Sequence, residues 1–282
     1  MKIIKIPEDW DQLWAKTLLN NQKIGFVPTM GALHEGHLEL VRYAINECDF
    51  IVVSIFVNPT QFNNPSDFES YPKTIEADLS LLEKEGIDAV FIPETHTMYP
   101  REVELSLDFG SIEKVLEGKF RPGHFSGVGI VVSKLFNLIR PHKAFFGQKD
   151  LQQVAVIKRL VNDLSFPVKL RIIPTKREKD GLALSSRNVR LSPSQRKEAL
   201  ILIQSLAKAR TELLAGQSWL QVSQEIREDF SKQPEPRLEY FELVHPDTFE
   251  VFQTFDPNQK NFLCVAAYLG DVRLIDNLQV ND

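Results

Sequence analysis

Phe50-Ile51-Val52-Val53-Ser54-Ile55-Phe56-Val57 is a run of β-branched, aliphatic and aromatic residues broken by a single serine. A strand with one wet face alternates polar and apolar side chains. A run without alternation belongs to a strand covered on both faces, as in parallel sheets. Parallel neighbours cannot be joined by a hairpin and need a crossover, usually a helix. The chain supplies both parts. Ile24-Gly25-Phe26-Val27-Pro28, 88–92, 143–146 and 168–173 read as further buried strands. Between them Leu38, Val41, Ala44 and Ile45 recur at helical spacing, and 75–82 and 154–164 show helical patterns as well. This rhythm predicts an α/β fold, a doubly wound, Rossmann-like parallel sheet over residues 1–175. Ligands of such sheets sit beyond the carboxyl ends of the strands, so the segments there are where a site is expected.

From residue 176 to 282 the texture changes to a smaller C-terminal α+β domain, expected to close over the site. Ser192-Pro193 reads as an N-cap and first helical residue. Ala199, Leu200, Ile203, Leu206, Ala207 and Leu213 are read as the helix's apolar face. Gln233-Pro234-Glu235-Pro236 reads as a linker, followed by strands over 238–244, 262–269 and 272–278, the last two joined near Gly270-Asp271. No internal repeat or low-complexity tract interrupts the chain.

The net charge of -5 gives no general attraction to nucleic acid or anionic lipid, so neither is expected as a partner. Cys48 and Cys264 match no zinc or redox spacing and are expected to be reduced thiols of a cytoplasmic protein. The first residues reach lysine and proline too soon for a signal peptide, and the longest apolar runs are shorter than a membrane span.

Val27-Pro28-Thr29-Met30-Gly31-Ala32-Leu33-His34-Glu35-Gly36-His37 lies where the first buried strand passes into a helix. Gly31 and Gly36 let backbone approach a ligand, and free N–H groups at a helix start attract phosphate. Two imidazoles three residues apart can donate to one polyphosphate, most usefully as charge grows in a transition state. Histidine spacing alone supplies two ligands for zinc and no third, so no metal site is expected. Leu184-Ser185-Ser186-Arg187-Asn188 offers two hydroxyls and a guanidinium able to fold over a triphosphate; by itself it would equally suit a polar turn. Asn58 and Gln61 follow the run that begins at Phe50, and Gly147-Gln148-Lys149-Asp150 with Gln153 follows 143–146. Lysine there can neutralise phosphate, aspartate can accept from ribose hydroxyls, and the amides can bind a hydroxy-acid without adding charge.

His34 to His37 is also the signature shared by class I aminoacyl-tRNA synthetases and small nucleotidylyltransferases. With Arg121-Pro122-Gly123-His124-Phe125, Gly127-Val128 and Lys134-Leu135-Phe136-Asn137 in order, the chain resembles the pantothenate synthetase (pantoate–β-alanine ligase) family up to about Leu191. The resemblance implies ATP-dependent condensation of (R)-pantoate with β-alanine through a pantoyl adenylate, releasing AMP and pyrophosphate, with Mg²⁺ arriving on ATP. It implies ATP binding by Met30, Gly31, Ala32, Leu33, His34, Glu35, Gly36, His37, Gly147, Gln148, Lys149, Asp150, Lys176, Leu184, Ser185, Ser186 and Arg187. It assigns catalysis to His37, His34 and Lys149, pantoate to Gln61, Gln153 and Asn58, and assembly to a homodimer. Lys176 and Leu184 depart from the family's usual small aliphatic residue and methionine. A nucleotidylyltransferase would want a more basic acceptor pocket than Asn58 and Gln61 provide, and a synthetase fragment would want a basic stripe for tRNA. His124 stays open between lining the pantoate pocket and a structural role.

Overall fold

The computed structural model describes residues 1–63, 68–69, 71–232 and 234–281. Strands β1 (Lys2–Ile4), β2 (Ile24–Thr29), β3 (Phe50–Ile55), β4 (Ala89–Phe91), β5 (Lys143–Gly147) and β6 (Lys169–Ile173) form one parallel sheet ordered β1-β4-β3-β2-β5-β6. All six residues of β3 are buried, as an unalternating run requires. Seven helices accompany the sheet among the described residues: α1 (Pro7–Leu19), α2 (Glu35–Glu47), α3 (Ile75–Glu85), α4 (Thr95–Met98), α5 (Leu116–Phe120), α6 (His124–Ile139) and α7 (Leu151–Asp163). Val27, Ile51, Val53, Val90 and Phe145 meet α2 and α3 through Leu38, Val41, Ala44 and Leu82. On the opposite face Phe26, Val52, Phe91, Ala144 and Phe146 meet α1, α6 and α7. Ile45, expected on the buried face of α2, is exposed, and Leu40 is buried in its place.

The C-terminal part has α8 (Pro193–Glu198), α9 (Leu200–Leu214), α10 (Trp219–Ser231) and an antiparallel sheet β7 (Arg237–Val244), β8 (Phe262–Leu269), β9 (Val272–Gln279). Ser192 caps α8 as read, its Oγ accepting from Gln195 N–H (3.2 Å) while the Gln195 amide accepts from Ser192 N–H (3.0 Å). Gln233 lies outside the described residues; 234–236 form a bend into β7. The buried stripe of α9 is Leu202, Leu206, Ala209 and Leu213, whereas Ala207 is exposed and Ile203 half-buried. Packing against α10 and the sheet selects that register, which shares Leu206 and Leu213 with the expected one. Alternate residues of β8 go opposite ways. Leu263, Val265 and Ala267 meet α9 and α10, and Phe262, Cys264 and Ala266 join the core shared with α6 and α7. Among the described residues no helix is long and apolar enough to cross a membrane.

The strand order locates the site. From β2 the chain winds outward through β3 and β4, and from β5 it winds the other way to β6. At this switch β2 and β5 pair only through Gly25 with Lys143 and Phe26 with Ala144. Beyond that they part, β2 running on to Thr29 and β5 to Gly147. A crevice opens between their carboxyl ends.

Candidate active site

A cavity occupies the crevice, walled by the segments after β2, β3, β5 and β6 and by residues of β7 to β9. Met30, His34, Gly36, His37, Asn58, Gln61, Gly147, Lys149, Asp150, Gln153, Lys176, Leu184, Ser185, Ser186 and Arg187 all line it. Gly31, Ala32, Leu33, Glu35 and Gln148 do not.

The loop after β2 explains part of that difference. Gly31 (φ 84°) and Ala32 (φ 50°) are both left-handed, which brings successive backbone N–H groups together. Such a concavity is expected to take phosphate, but the buried Asp78 of α3 fills it. Its carboxylate accepts from Ala32 N–H at 2.9 Å, Leu33 N–H at 2.8 Å and the Thr74 hydroxyl at 3.2 Å. These amides therefore anchor the loop to α3. Glu35 points outward and pairs with Arg42.

At the start of α2 the histidines cap the helix and each other. His34 Nδ1 accepts from Gly36 N–H (3.1 Å), and His37 Nδ1 accepts from His34 N–H (3.3 Å). An N–H can only donate, so both Nδ1 atoms are bare and each neutral ring carries its proton on Nε2. The rings lie 4.1 Å apart between centroids. Burial, helped by Lys149, lowers His34 to about 4; burial, then His34 and Lys149, lowers His37 to about 3. Both rings are thus neutral N–H donors near pH 7. Lys149 makes no ion pair among the described residues.

The wall after β3 is built for one amide. Asn58 donates to the Gln61 side-chain oxygen (3.1 Å) and to Gly127 O (3.3 Å), while its own oxygen accepts from the Tyr99 hydroxyl (2.7 Å) and Thr60. The side chain of Asn58 lines the cavity and is at the same time hydrogen-bonded within the wall, where it holds Gln61. Gln61 then presents Nε2, which among the described residues meets only Met30 Sδ at 3.3 Å. Gln153 has no hydrogen bond to other described residues. Close approach of α6 to this turn needs Gly127. A Cβ there would lie 2.6 Å from the Thr60 carbonyl carbon and nearer still to its oxygen.

Two residues of β9 hold the remaining loops. Asn277 Nδ2 donates to Gln148 O (3.1 Å) and Lys149 O (2.8 Å), which ties the backbone of this segment to β9. Asp276 receives a bidentate bond from Arg177 (2.7 and 2.9 Å). Residues 176–184 form a narrow loop closed by Leu184 N–H to Lys176 O (3.0 Å). Ser185 Oγ accepts from Arg187 N–H (3.2 Å), while Asn188 donates to Ala183 O (3.1 Å). The polar-turn reading of this segment therefore holds for Ser185 and Asn188, and the loop lines the cavity all the same. At the other end of the cavity Glu117 takes Arg273 (2.6 and 2.9 Å) and the Tyr240 hydroxyl (2.7 Å). Burial opposes its charge, but these partners and Arg121 hold it down to about 2.

A family model described as pantoate-beta-alanine ligase matches residues 2–279. The chain is 51% identical over 261 residues to the pantothenate synthetase of Thermoanaerobacter sp. (strain X514), covering 92% of each. It superposes on the crystal structure of the Thermus thermophilus enzyme with a TM-score of 0.92, at 41% identity and 100% coverage of both chains.

The chain belongs to the pantoate–β-alanine ligase family.

Membership makes it an enzyme, an AMP-forming ligase of the kind that joins pantoate to β-alanine. A Francisella tularensis pantoate-beta-alanine ligase, complexed with beta-gamma ATP and β-alanine, is also similar (TM-score 0.80, 36% identity, 99% and 98% coverage).

Asp78, Glu117, Tyr99 and the Asp276-Asn277 pair were not singled out in the sequence. Asp78 and the Asp276-Asn277 pair carried a signal, polar residues set among apolar neighbours. Asp78 stands among Ile75, Leu79 and Leu82, and Asp276-Asn277 interrupts Val272, Leu274, Ile275 and Leu278.

The buried imidazoles set a pH dependence of stability. His124 is also held down, to about 4, by burial and then by Arg121. In the unfolded chain these rings take protons near pH 6.5. Between that value and their folded values the unfolded chain binds more protons, so stability is lost as pH falls through the window. Urea midpoints should be lower at pH 5 than at pH 7, each fully buried ring steepening the fall by up to ~1.4 kcal/mol per pH unit. Equal midpoints would mean the rings already bear charge in the fold.

Proposed function

We propose that the chain condenses (R)-pantoate with β-alanine using ATP, through a pantoyl adenylate, releasing AMP and pyrophosphate. The observation that carries the reading is the pair of neutral Nε2–H imidazoles beside Lys149, opposite the uncharged amide of Gln61. Pantoate carboxylate attacks the α-phosphorus of ATP, and pyrophosphate leaves. The β-alanine amine then attacks the acyl carbon and AMP leaves. Neither step needs a side-chain nucleophile; positioning and charge stabilisation suffice.

His37 and His34 donate to phosphoryl oxygens, Lys149 neutralises their charge, and Gly147 and Asp150 receive the nucleoside. The 184–187 loop, with Lys176 at the base, closes over the nucleotide. Gln61 and Gln153 hold pantoate. Residues 1–175 form the binding unit and 176–282 the unit that closes on it. Magnesium comes with ATP. Glu117 and Asp276, on the cavity wall, are each locked to an arginine, and no group of three or more metal-ligating side chains gathers among the described residues. Such a wall suits an ion held by phosphate and water. The acidic chain with two free thiols supports a cytoplasmic enzyme, and the family resemblance a homodimer.

The test is exchange of labelled pyrophosphate into ATP. Pantoate alone should support it, because adenylation needs no amine, and pantothenate and AMP should accumulate only after β-alanine is added. ADP as product would overturn the adenylate route.

Gln153→Glu separates acid from nucleotide. The added charge faces the pantoate carboxylate in a site of low dielectric. By calorimetric titration pantoate should bind at least ~1–3 kcal/mol more weakly, with ATP hardly affected. Loss confined to ATP would reverse the assignment of the pocket.

A further inference from the structure

Three imidazoles face the cavity, and their hydrogen bonds give them opposite polarity. His34 and His37 accept on Nδ1 and so carry the proton on Nε2. His124, the first residue of α6, does the reverse. Its Nδ1 lies 2.8 Å from the Gln61 carbonyl oxygen. A carbonyl only accepts, so the proton of the neutral ring is on Nδ1 and Nε2 is a bare lone pair. Nε2 has no hydrogen-bond partner among the described residues, and it is not a sealed, orphaned atom either, so it opens on the cavity. The same ring braces the backbone of Gln61, which fixes the lone pair relative to the acid pocket.

The other candidate acceptors on the cavity are committed elsewhere: the Asp150 carboxylate, which also lines it, is assigned above to the nucleoside. His34 and His37 present N–H. Glu117 already takes a bidentate arginine and a tyrosine hydroxyl, and Asp276 is held by Arg177. Burial and Arg121 keep His124 neutral near pH 7, so its lone pair is available there.

We propose that His124 Nε2 accepts the proton that the β-alanine amine loses as it attacks the acyl carbon. The assignment rests on the two-step reaction proposed above. The amine arrives as an ammonium and gives one proton to water. Its nitrogen lone pair then forms the C–N bond, and the acyl C–O bond to the phosphate breaks with its electron pair leaving on AMP. The second nitrogen proton passes to Nε2 and from there to solvent, which leaves a neutral amide. No oxidant or co-reactant is needed.

The discriminating variant is His124→Asn. Its amide nitrogen falls near the position of Nδ1 and preserves the bond to Gln61 O, but nothing replaces Nε2. Pyrophosphate exchange with pantoate should continue near the wild-type rate, which also shows that the variant is folded. Adenylate formed from ATP, Mg²⁺ and pantoate is then mixed with β-alanine in a quenched-flow instrument. Amide formation should be ~10²-fold slower, the usual contribution of a positioned base. Hydroxylamine's nitrogen is far less basic, so once its C–N bond has formed the proton is lost readily to water, and with this nucleophile the deficit should be smaller. Unchanged aminolysis would overturn the assignment. Equal loss in both half-reactions, or equal loss with the two amines, would reduce His124 to bracing Gln61 and overturn it too. Absence of exchange in the wild-type protein would instead overturn the adenylate reading, and this assignment with it.

Discussion

His37→Ala is expected to slow adenylation by ~10²–10³-fold, the typical cost of removing one preorganised donor from a developing oxyanion. The donor is well prepared. Its Nδ1 is occupied by His34 N–H at 3.3 Å, so Nε2–H is available in the neutral ring without a change of tautomer. Loss of the ring also removes the reciprocal half of the α2 capping box, in which His34 and His37 each take a backbone N–H. An N-cap is worth ~1 kcal/mol, small beside the stability of a domain. The variant should therefore remain folded, with a modestly lower urea midpoint and a large kinetic defect. His37→Gln restores a side-chain amide and is expected to recover part of the rate. The measurements are pyrophosphate exchange with pantoate and equilibrium unfolding on the same preparations. Adenylation near the wild-type rate would make the ring a capping group alone.

Gly127→Ala should destabilise the fold by ~3 kcal/mol or more, a large effect for one methyl group. Overpacking is mild when a flexible side chain can yield. Here the new methyl meets the backbone of Thr60 and Gln61, with the Thr60 carbonyl carbon only 2.6 Å away. Either α6 moves outward from the sheet, or the 58–61 turn shifts and takes Gln61 with it. The first outcome costs buried contacts, since Phe125, Val128, Val131 and Val132 all belong to the main core. The second should appear as weaker pantoate binding with ATP binding retained. Urea denaturation and calorimetric titration of the two ligands report both. A variant with wild-type midpoint and wild-type pantoate affinity would show that α6 and the turn are not in firm contact.

The sequence was sufficient for the sheet because its evidence is local and repeated. The unalternating run at Phe50 requires two covered faces, and the helix patterns on either side supply the cover. The loop histidines, Lys149 and the serines at 185 and 186 were legible for a similar reason, as chemistry-bearing residues at strand ends. Other elements had no such local mark. In α6, 11 residues from His124 to Ile139 are buried, which leaves only the narrow polar stripe of Ser126, Ser133, Lys134 and Asn137 to reveal a helical period. The stripe of α9 was misjudged at Ala207 because several apolar registers fit its sequence, and its neighbours choose among them. Asn58 reads as a substrate ligand because an amide at a strand end is chemically apt, while its bonds to Gly127 and Tyr99, 69 and 41 residues away, have no local mark.

Residue types and their order thus determined the parallel α/β sheet, the family and the cavity-lining motifs, since each depends on side-chain chemistry within a few neighbouring positions. Tertiary structure alone decided which polar groups remain available to a ligand. Asp78 reaches Ala32 and Leu33 across 46 and 45 residues, and Asn277 reaches Lys149 across 128. Each bond removes a donor or acceptor from the inventory that a local reading assigns to the ligand. The opposite tautomers of His37 and His124 follow from the same cause. A ring nitrogen's role is set by the partner that folding brings to its other nitrogen, and for His124 that partner, Gln61 O, lies 63 residues away.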